Sequence, residues 1–191
     1  ISCTSSSSKL NRPDVLSRRV ISLLSQAPLV LGDTDGKFYR KYLRGLTREI
    51  RYLRYTMLDI ADGVPRLQVL IALCYASLCL ANQANLIRAA TKRLSEELQR
   101  QILPDGGHIS RNPGALVELL SDMLPLRQTF AARNIAPPPA LLNAIDRMMP
   151  MLRFFRHGDG TLARFHGAGP TATDALATGT RSNDLNTVST G

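Results

Sequence analysis

The stretch from Leu67 to Ala81 is apolar at nearly every position, interrupted by Gln68, and it limits the fold more than any other feature of the chain. It falls short of the roughly 18 to 20 residues needed to span a bilayer. It therefore reads as a helix that neighbouring protein must cover on most sides. A chain carrying such an element has to supply its cover, and the flanking sequence does so at helical spacing.

The sequence predicts a first amphipathic helix after Pro13, with Leu16, Val20, Leu23, Leu24 and Ala27 on one face, ending before Pro28. A second helix follows Gly32 to Gly36 and places Tyr39, Tyr42, Leu43, Leu46, Ile50, Leu53 and Met57 on one stripe. Asp62-Gly-Val-Pro65 breaks the chain before the apolar helix. Asn82 is positioned to cap a fourth helix, in which Leu86, Ala90, Leu94 and Leu98 form the inner face. Arg88, Lys92, Arg93, Glu96, Glu97 and Arg100 are expected to face water.

Pro104 and the Gly106-Gly107 pair stop that helix, and Asn112-Pro113 starts another with a capping residue followed by proline at the first helical position. Its buried side is Ala115, Leu116, Leu119, Leu120, Met123 and Leu124, and Pro125 is expected to kink it before it ends near Arg133. A last helix opens at Pro137-Pro-Pro139 and carries Leu141, Leu142, Ile145, Met148, Met149 and Leu152, with Pro150 inside. His157-Gly-Asp-Gly160 then signals a turn, and Thr161 to Phe165 a strand. Residues 168–191 show no periodic apolar face and are expected to be mobile.

Six helices joined by short connections imply an all-α fold of antiparallel pairs. Residues 10–156 are the expected helical portion, 157–167 the start of a β region, and 168–191 a tail. No fixed-period repeat supports a TPR or HEAT array. The chain does not begin with Met, and together with the polar C-terminal stretch this suggests a piece of a longer protein. No secretory signal is visible in the opening residues. Cys74 and Cys79 stand about 140° apart around a helix and read as small core residues rather than a pair.

The formal charge is +9, and it is uneven. Residues 1–55 hold 11 Lys/Arg against 4 Asp/Glu, a balance of +7, so the positive field belongs to the first third. Arg40, Arg44, Arg48, Arg51 and Arg54, with Lys37 and Lys41, recur at helical spacing on the second helix. Two readings of this face stand open, a solvated helix side or a contact for a polyanion. Aromatic residues are only 5% with no Trp, which is sparse for stacking on bases or neutral sugars.

Three His and no H-E-x-x-H or D-x-D arrangement make a metal hydrolase a poor fit, and no metal or cofactor is expected. Serine-hydrolase and nucleotide-binding motifs are absent as well. The polar residues that gather are Asp105, His108, Ser110, Arg111 and Asn112, in a loop between two helices. Such loops on rigid scaffolds are where sites usually lie. Equally, Asp105 and the glycines would make a turn and Asn112 a cap, leaving His108 and Arg111 incidental.

The segment Glu97-Leu-Gln-Arg-Gln-Ile-Leu-Pro-Asp-Gly-Gly-His108, followed by Arg111 and Pro113, resembles the heparinase II/III family of polysaccharide lyases. Met151 to Phe165 is similar to that family's link between a helical toroid and a β-sandwich, and the resemblance runs over roughly residues 10–168. It implies an incomplete (α/α) toroid and a C-terminal β-sandwich domain missing from this chain. It also implies β-elimination on an acidic, uronate-containing polysaccharide such as a glycosaminoglycan, in the periplasm or cell envelope of a bacterium. In that chemistry the sugar carboxylate is neutralised, a Tyr or His takes the C5 proton, and an acid protonates the departing O4.

On this resemblance His108 and Arg111 are the candidate catalytic residues, one to transfer a proton and one to neutralise a carboxylate. Arg40, Arg44, Arg48, Arg51 and Asn112 are the candidate substrate-binding residues. Two family positions depart: the catalytic Tyr falls on Ala115, and the neutralising Asn falls near Ala61-Asp62-Gly63. The leading reading is thus a lyase domain whose partner is an anionic polysaccharide. The alternative is a helical domain that binds anionic glycan without catalysis. A nucleic-acid binder rests on the basic helix alone and is not expected.

Overall fold

The computed structural model describes residues 12–32, 35–80, 84–157 and 161–163. Six helices occupy most of them: α1 (Pro13–Leu31), α2 (Gly36–Thr56), α3 (Val64–Leu80), α4 (Ala84–Gln101), α5 (Pro113–Ala132) and α6 (Pro139–Phe154). The all-α class expected from the sequence is the one observed. The chain divides within α4 into two compact units, Ile1–Leu94 and Ser95–Gly191.

In the N-terminal unit α1 packs on α2 and α3, and α2 also packs on α3. Leu16, Val20, Ile21 and Leu24 of α1 and Leu46, Leu53 and Met57 at the end of α2 are buried. Between them α3 is apolar nearly all round, with Leu67, Val69, Ile71, Ala72, Cys74 and Leu78 fully shielded. Gln68, which interrupts the apolar run, is buried too, and its amide oxygen accepts from Arg18 Nε and Nη2 at 3.2 and 3.1 Å. A buried amide with a charged donor costs far less than one left without a partner. Arg19 of α1 pairs with Glu49 of α2, and the Tyr42 hydroxyl donates to the Leu23 carbonyl, so polar contacts also tie these two helices.

Helix ends follow side-chain chemistry. Asp35 caps α2 by accepting from Lys37 N at 2.8 Å, and Asn112 caps α5 by accepting from Gly114 N at 2.8 Å, with Pro113 at the first helical position. Replacing Asn112 by Ala leaves that N–H without its partner, and should lower stability by about 1 kcal/mol in urea unfolding. No change would mean that solvent caps α5 equally well.

In the C-terminal unit α5 packs on α6. Leu116, Leu119, Leu120 and Phe130 of α5 and Leu141, Ala144, Ile145 and Met148 of α6 are almost wholly buried. Beyond α6, Arg156 and Leu162 form one antiparallel bridge, with His157 N donating to Thr161 O and Ala163 N to Phe155 O, both at 2.8 Å. This bridge is what the structure describes of the β region expected after the helices. Residues 164–165 of the expected strand, the Asn82 cap and the 168–191 tail lie outside the described residues.

Four sequence expectations are corrected. α1 continues through Pro28 to Leu31 instead of ending before it. The proline removes one backbone donor, but only a single exposed turn remains beyond it, so the loss is small. Tyr39 is 45% exposed and not part of the buried stripe. Cys74 is buried in contact with Thr91, whereas Cys79 is exposed. Glu97, expected to face water, is 6% exposed.

Candidate functional site

The loop from Ile102 to Asn112 is built as a tight hairpin. Ile102 and His108 form an antiparallel bridge, with Leu103 N donating to Gly107 O at 2.8 Å and Ile109 N to Gln101 O at 2.9 Å. Inside it, Gly106 N donates to Leu103 O at 2.9 Å, closing a turn with Pro104 and Asp105 at its centre. Proline presets φ for the first corner of such a turn, and glycine takes the left-handed residue that follows, here at φ +84°. The sequence Leu-Pro-Asp-Gly therefore dictates the reversal.

His108 lies at the base of this hairpin and is 1% exposed. Its Nδ1 receives the Ser110 backbone N–H at 3.1 Å and contacts Ser110 Oγ at 2.8 Å. A ring nitrogen that accepts from a backbone amide carries no proton, so the neutral ring holds its hydrogen on Nε2. That hydrogen is donated to Gln101 Oε1 at 2.9 Å. The Gln101 amide in turn donates to Glu97 Oε1, which also accepts from Arg100 at 2.5 Å. Burial holds the His108 pKa below its ordinary value, in keeping with a neutral ring.

Arg111 is on the outer side of the same loop, in a left-handed conformation at φ +54° that is uncommon for a residue with a side chain. Its guanidinium donates to Asp105 Oδ2 at 2.5 Å, and Asp105 Oδ1 accepts from Gly107 N at 2.8 Å. The Arg111 hydrogen bond and then the Gly107 amide hold the Asp105 carboxyl below the usual carboxylate range. The Arg111 charge is thus already met by a carboxylate, although half of its side chain remains exposed.

The structure brings His108, Arg111 and Asn112 into one loop and gives each a bonded partner within it. Asn112 is occupied as the α5 cap, and Ala115, at the family's Tyr position, is buried in the first turn of that helix. Asp62 and Gly63, at the family's Asn position, form the corner before α3, where Gly63 has φ +129°. Arg40, Arg44, Arg48 and Arg51 are on α2, in the N-terminal unit, and all four are exposed. Among the described residues none of the four has an acidic partner, and Arg44 Nε donates to the Arg40 carbonyl at 3.3 Å.

Sequence reasoning missed two parts of this site, Glu97 and Gln101. A signal was present: Leu94, Leu98 and Gln101 stand at i, i+4 and i+7, so Gln101 falls on the buried stripe, and Glu97 is one helical turn before it. It also missed an apolar hollow of about 390 Å³ in the N-terminal unit, lined by α2, α3 and the start of α4. Among the described residues no group of three or more His, Cys, Asp or Glu is placed to hold a metal ion. No helix among them is long and apolar enough to cross a membrane.

No protein-family model matches the chain. Its backbone does have a counterpart among solved structures, the crystal structure of heparinase III, with a TM-score of 0.73 over 91% of this chain and 28% of that one, at 15% identity. The fold is similar to that of heparinase III. In sequence, the chain is 38% identical over 158 residues to FtsZ-localized protein C of Caulobacter vibrioides (strain NA1000 / CB15N), a match covering 81% of this chain. The chain spans about a quarter of that relative's length, 27%. A fold like that of heparinase III and a sequence relative named FtsZ-localized protein C thus meet in one chain.

Proposed function

We propose that this chain is a non-catalytic binding module on a lyase-like helical fold, which docks a protein partner where FtsZ is located. The observation that carries the reading is the 38% identity to FtsZ-localized protein C, extending over four-fifths of the chain. Three features of the site support it. The one histidine in the candidate loop is sealed and bonded on both ring nitrogens, Arg111 is matched by Asp105, and Ala115 offers no proton donor or acceptor. A proton-transfer site needs a group that reaches its substrate. The candidate residues that reach solvent with no acidic partner among the described residues are the α2 cations, and an exposed basic arc favours an acidic surface on the partner.

The test is a pull-down of the purified chain with purified FtsZ from Caulobacter vibrioides, at two salt concentrations. Retention that weakens with salt is expected, with a loss of at least about tenfold in affinity for R40E/R44E/R48E/R51E. Four exposed positions are changed, so folding should survive, and circular dichroism checks that.

The fold likeness favours a second reading, a polysaccharide lyase domain acting on an anionic polysaccharide within a longer protein. The same preparation, and the full-length protein, are incubated with heparan, chondroitin, hyaluronan and alginate. An ultraviolet absorbance from C4–C5 unsaturated uronate, together with no retention by FtsZ, would replace the first reading by the second. Salt-sensitive glycan binding without product would instead support the glycan-binding alternative.

A further inference from the structure

The hollow in the N-terminal unit is bordered by three helix edges. It runs from Thr47 on α2 to Met57, the residue that ends that helix, from Leu70 to Leu80 on α3, and from Leu86 to Arg93 on α4. An edge of ten residues in a helix is about 15 Å long. The hollow is therefore a trough about three helical turns long beside α2 and α3, with a volume of about 390 Å³. Its depth comes from small side chains in the middle of α3 and α4, where Ala76, Ser77, Ala89 and Ala90 leave room that larger residues would fill.

The chemistry of the lining is one-sided. Its floor is aliphatic, and Leu80 and Leu86 are 44% and 41% exposed at one end. Among the described residues, the only charged ones that line the trough are Arg54 and Arg93, on α2 and α4, and none that lines it is acidic. Both arginines are exposed, and among the described residues neither forms an ion pair. Around α2, Arg54 and Thr47 stand at the margin where the basic arc meets the apolar stripe, so trough and arc adjoin. Among the described residues that line it, none is an aromatic on which a sugar or a base would stack.

We infer that this trough is the docking site for an acidic amphipathic peptide segment of a partner protein, whose apolar side chains enter between α2, α3 and α4 while its carboxylates meet Arg54 and Arg93. The length suits three turns of a helix laid along it, which is how amphipathic segments are commonly recognised. The volume is in the range that accommodates a few buried side chains. Two cationic rims without internal partners select the sign of the occupant. The inference rests on the reading of the chain as a protein-binding module, and names the surface and the partner chemistry which that reading leaves open.

The experiment is a selection of random 16-residue peptides displayed against the whole chain, followed by affinity measurement on the selected peptides. Enriched sequences should combine Leu, Ile or Phe at i, i+3/i+4 and i+7 with Asp and Glu. Their affinity should fall at least tenfold for R54E/R93E, which changes only exposed side chains, and for Ala90→Trp, which fills the trough. Should Ala90→Trp unfold the chain, R54E/R93E alone decides. Failure to enrich any peptide, or enriched peptides indifferent to R54E/R93E, overturns the proposal. So does binding of anionic phospholipid vesicles that Ala90→Trp abolishes while peptide binding stays unchanged. If FtsZ retains the chain and R54E/R93E equally and no selected peptide depends on Arg54 and Arg93, the trough proposal falls and the FtsZ reading stands. Selected peptides that bind the trough with no retention by FtsZ remove the FtsZ reading and leave the peptide site.

Discussion

Gly106→Ala is expected to abolish the stable fold of the C-terminal unit. A Cβ at this position would lie 2.0 Å from the carbonyl oxygen of Arg147 and 2.6 Å from its carbonyl carbon. Both are backbone atoms of α6, so no side chain can rotate aside to make room. The conformation at φ +84° adds its own penalty of about 1 to 2 kcal/mol for any L side chain. Together these place the substitution among the severe class, at about 4 kcal/mol or more. For a unit of this size, a thermal midpoint more than about 10 °C lower, or insoluble expression, is the expected outcome. Gly45→Ala is the control. A Cβ there meets nothing within 4 Å in the middle of α2, and it should stabilise by about 0.5 to 1 kcal/mol. Equal effects at the two positions would mean that the hairpin does not touch α6 as described.

A second large effect is expected at His108, in both magnitude and pH dependence. His108→Ala removes the ring that joins Gln101 to Ser110, leaving a buried amide oxygen and a backbone N–H without partners. Such losses, with the cavity left behind, sum to about 3 kcal/mol. The pH dependence has a definite sign. Burial depresses the His108 pKa in the folded chain, so below the ordinary histidine range the unfolded chain binds the extra proton first. The stabilisation is fully present above about pH 6.5, and is lost as pH falls from there toward the depressed value. Protonation also ends the ability of Nδ1 to accept from Ser110 N. Asp105, whose pKa is likewise lowered, contributes stability present above its unfolded value and lost only in more acidic solution, so the two windows separate. Urea midpoints between pH 8 and pH 5 should decline for the native chain and stay flat for His108→Ala. Parallel declines would show that another group controls this range.

These effects explain what the sequence disclosed and what it concealed. The Asn112-Pro113 cap, the burial of α3 and the arc of exposed cations on α2 follow from local rules that act within a few residues. They are legible because each depends on spacing alone. Glu97 was assigned to solvent because its neighbours along α4 are charged. What buries it is the chain of hydrogen bonds through Gln101 to His108, and that chain exists only once the hairpin has folded back by one tight turn. The candidate residues His108 and Arg111 were found as a cluster, yet their occupation by Gln101, Ser110 and Asp105 is a matter of atoms that composition does not report. The trough was invisible for a related reason. Its alanines and serine are unremarkable in sequence, and only the packing of the helix edges turns missing side-chain volume into a shaped surface.

The all-round apolar character of α3 has a consequence for how the chain is made. During synthesis a segment with no polar side is at risk of sticking to other exposed chains until it is covered. Here α1 and α2, which both pack on α3, have already left the ribosome when Val64 emerges, so the segment appears beside a surface prepared for it. The gene order of the helices thus acts as a built-in chaperone, and a rearranged gene placing α3 first would remove that protection while keeping every native contact available.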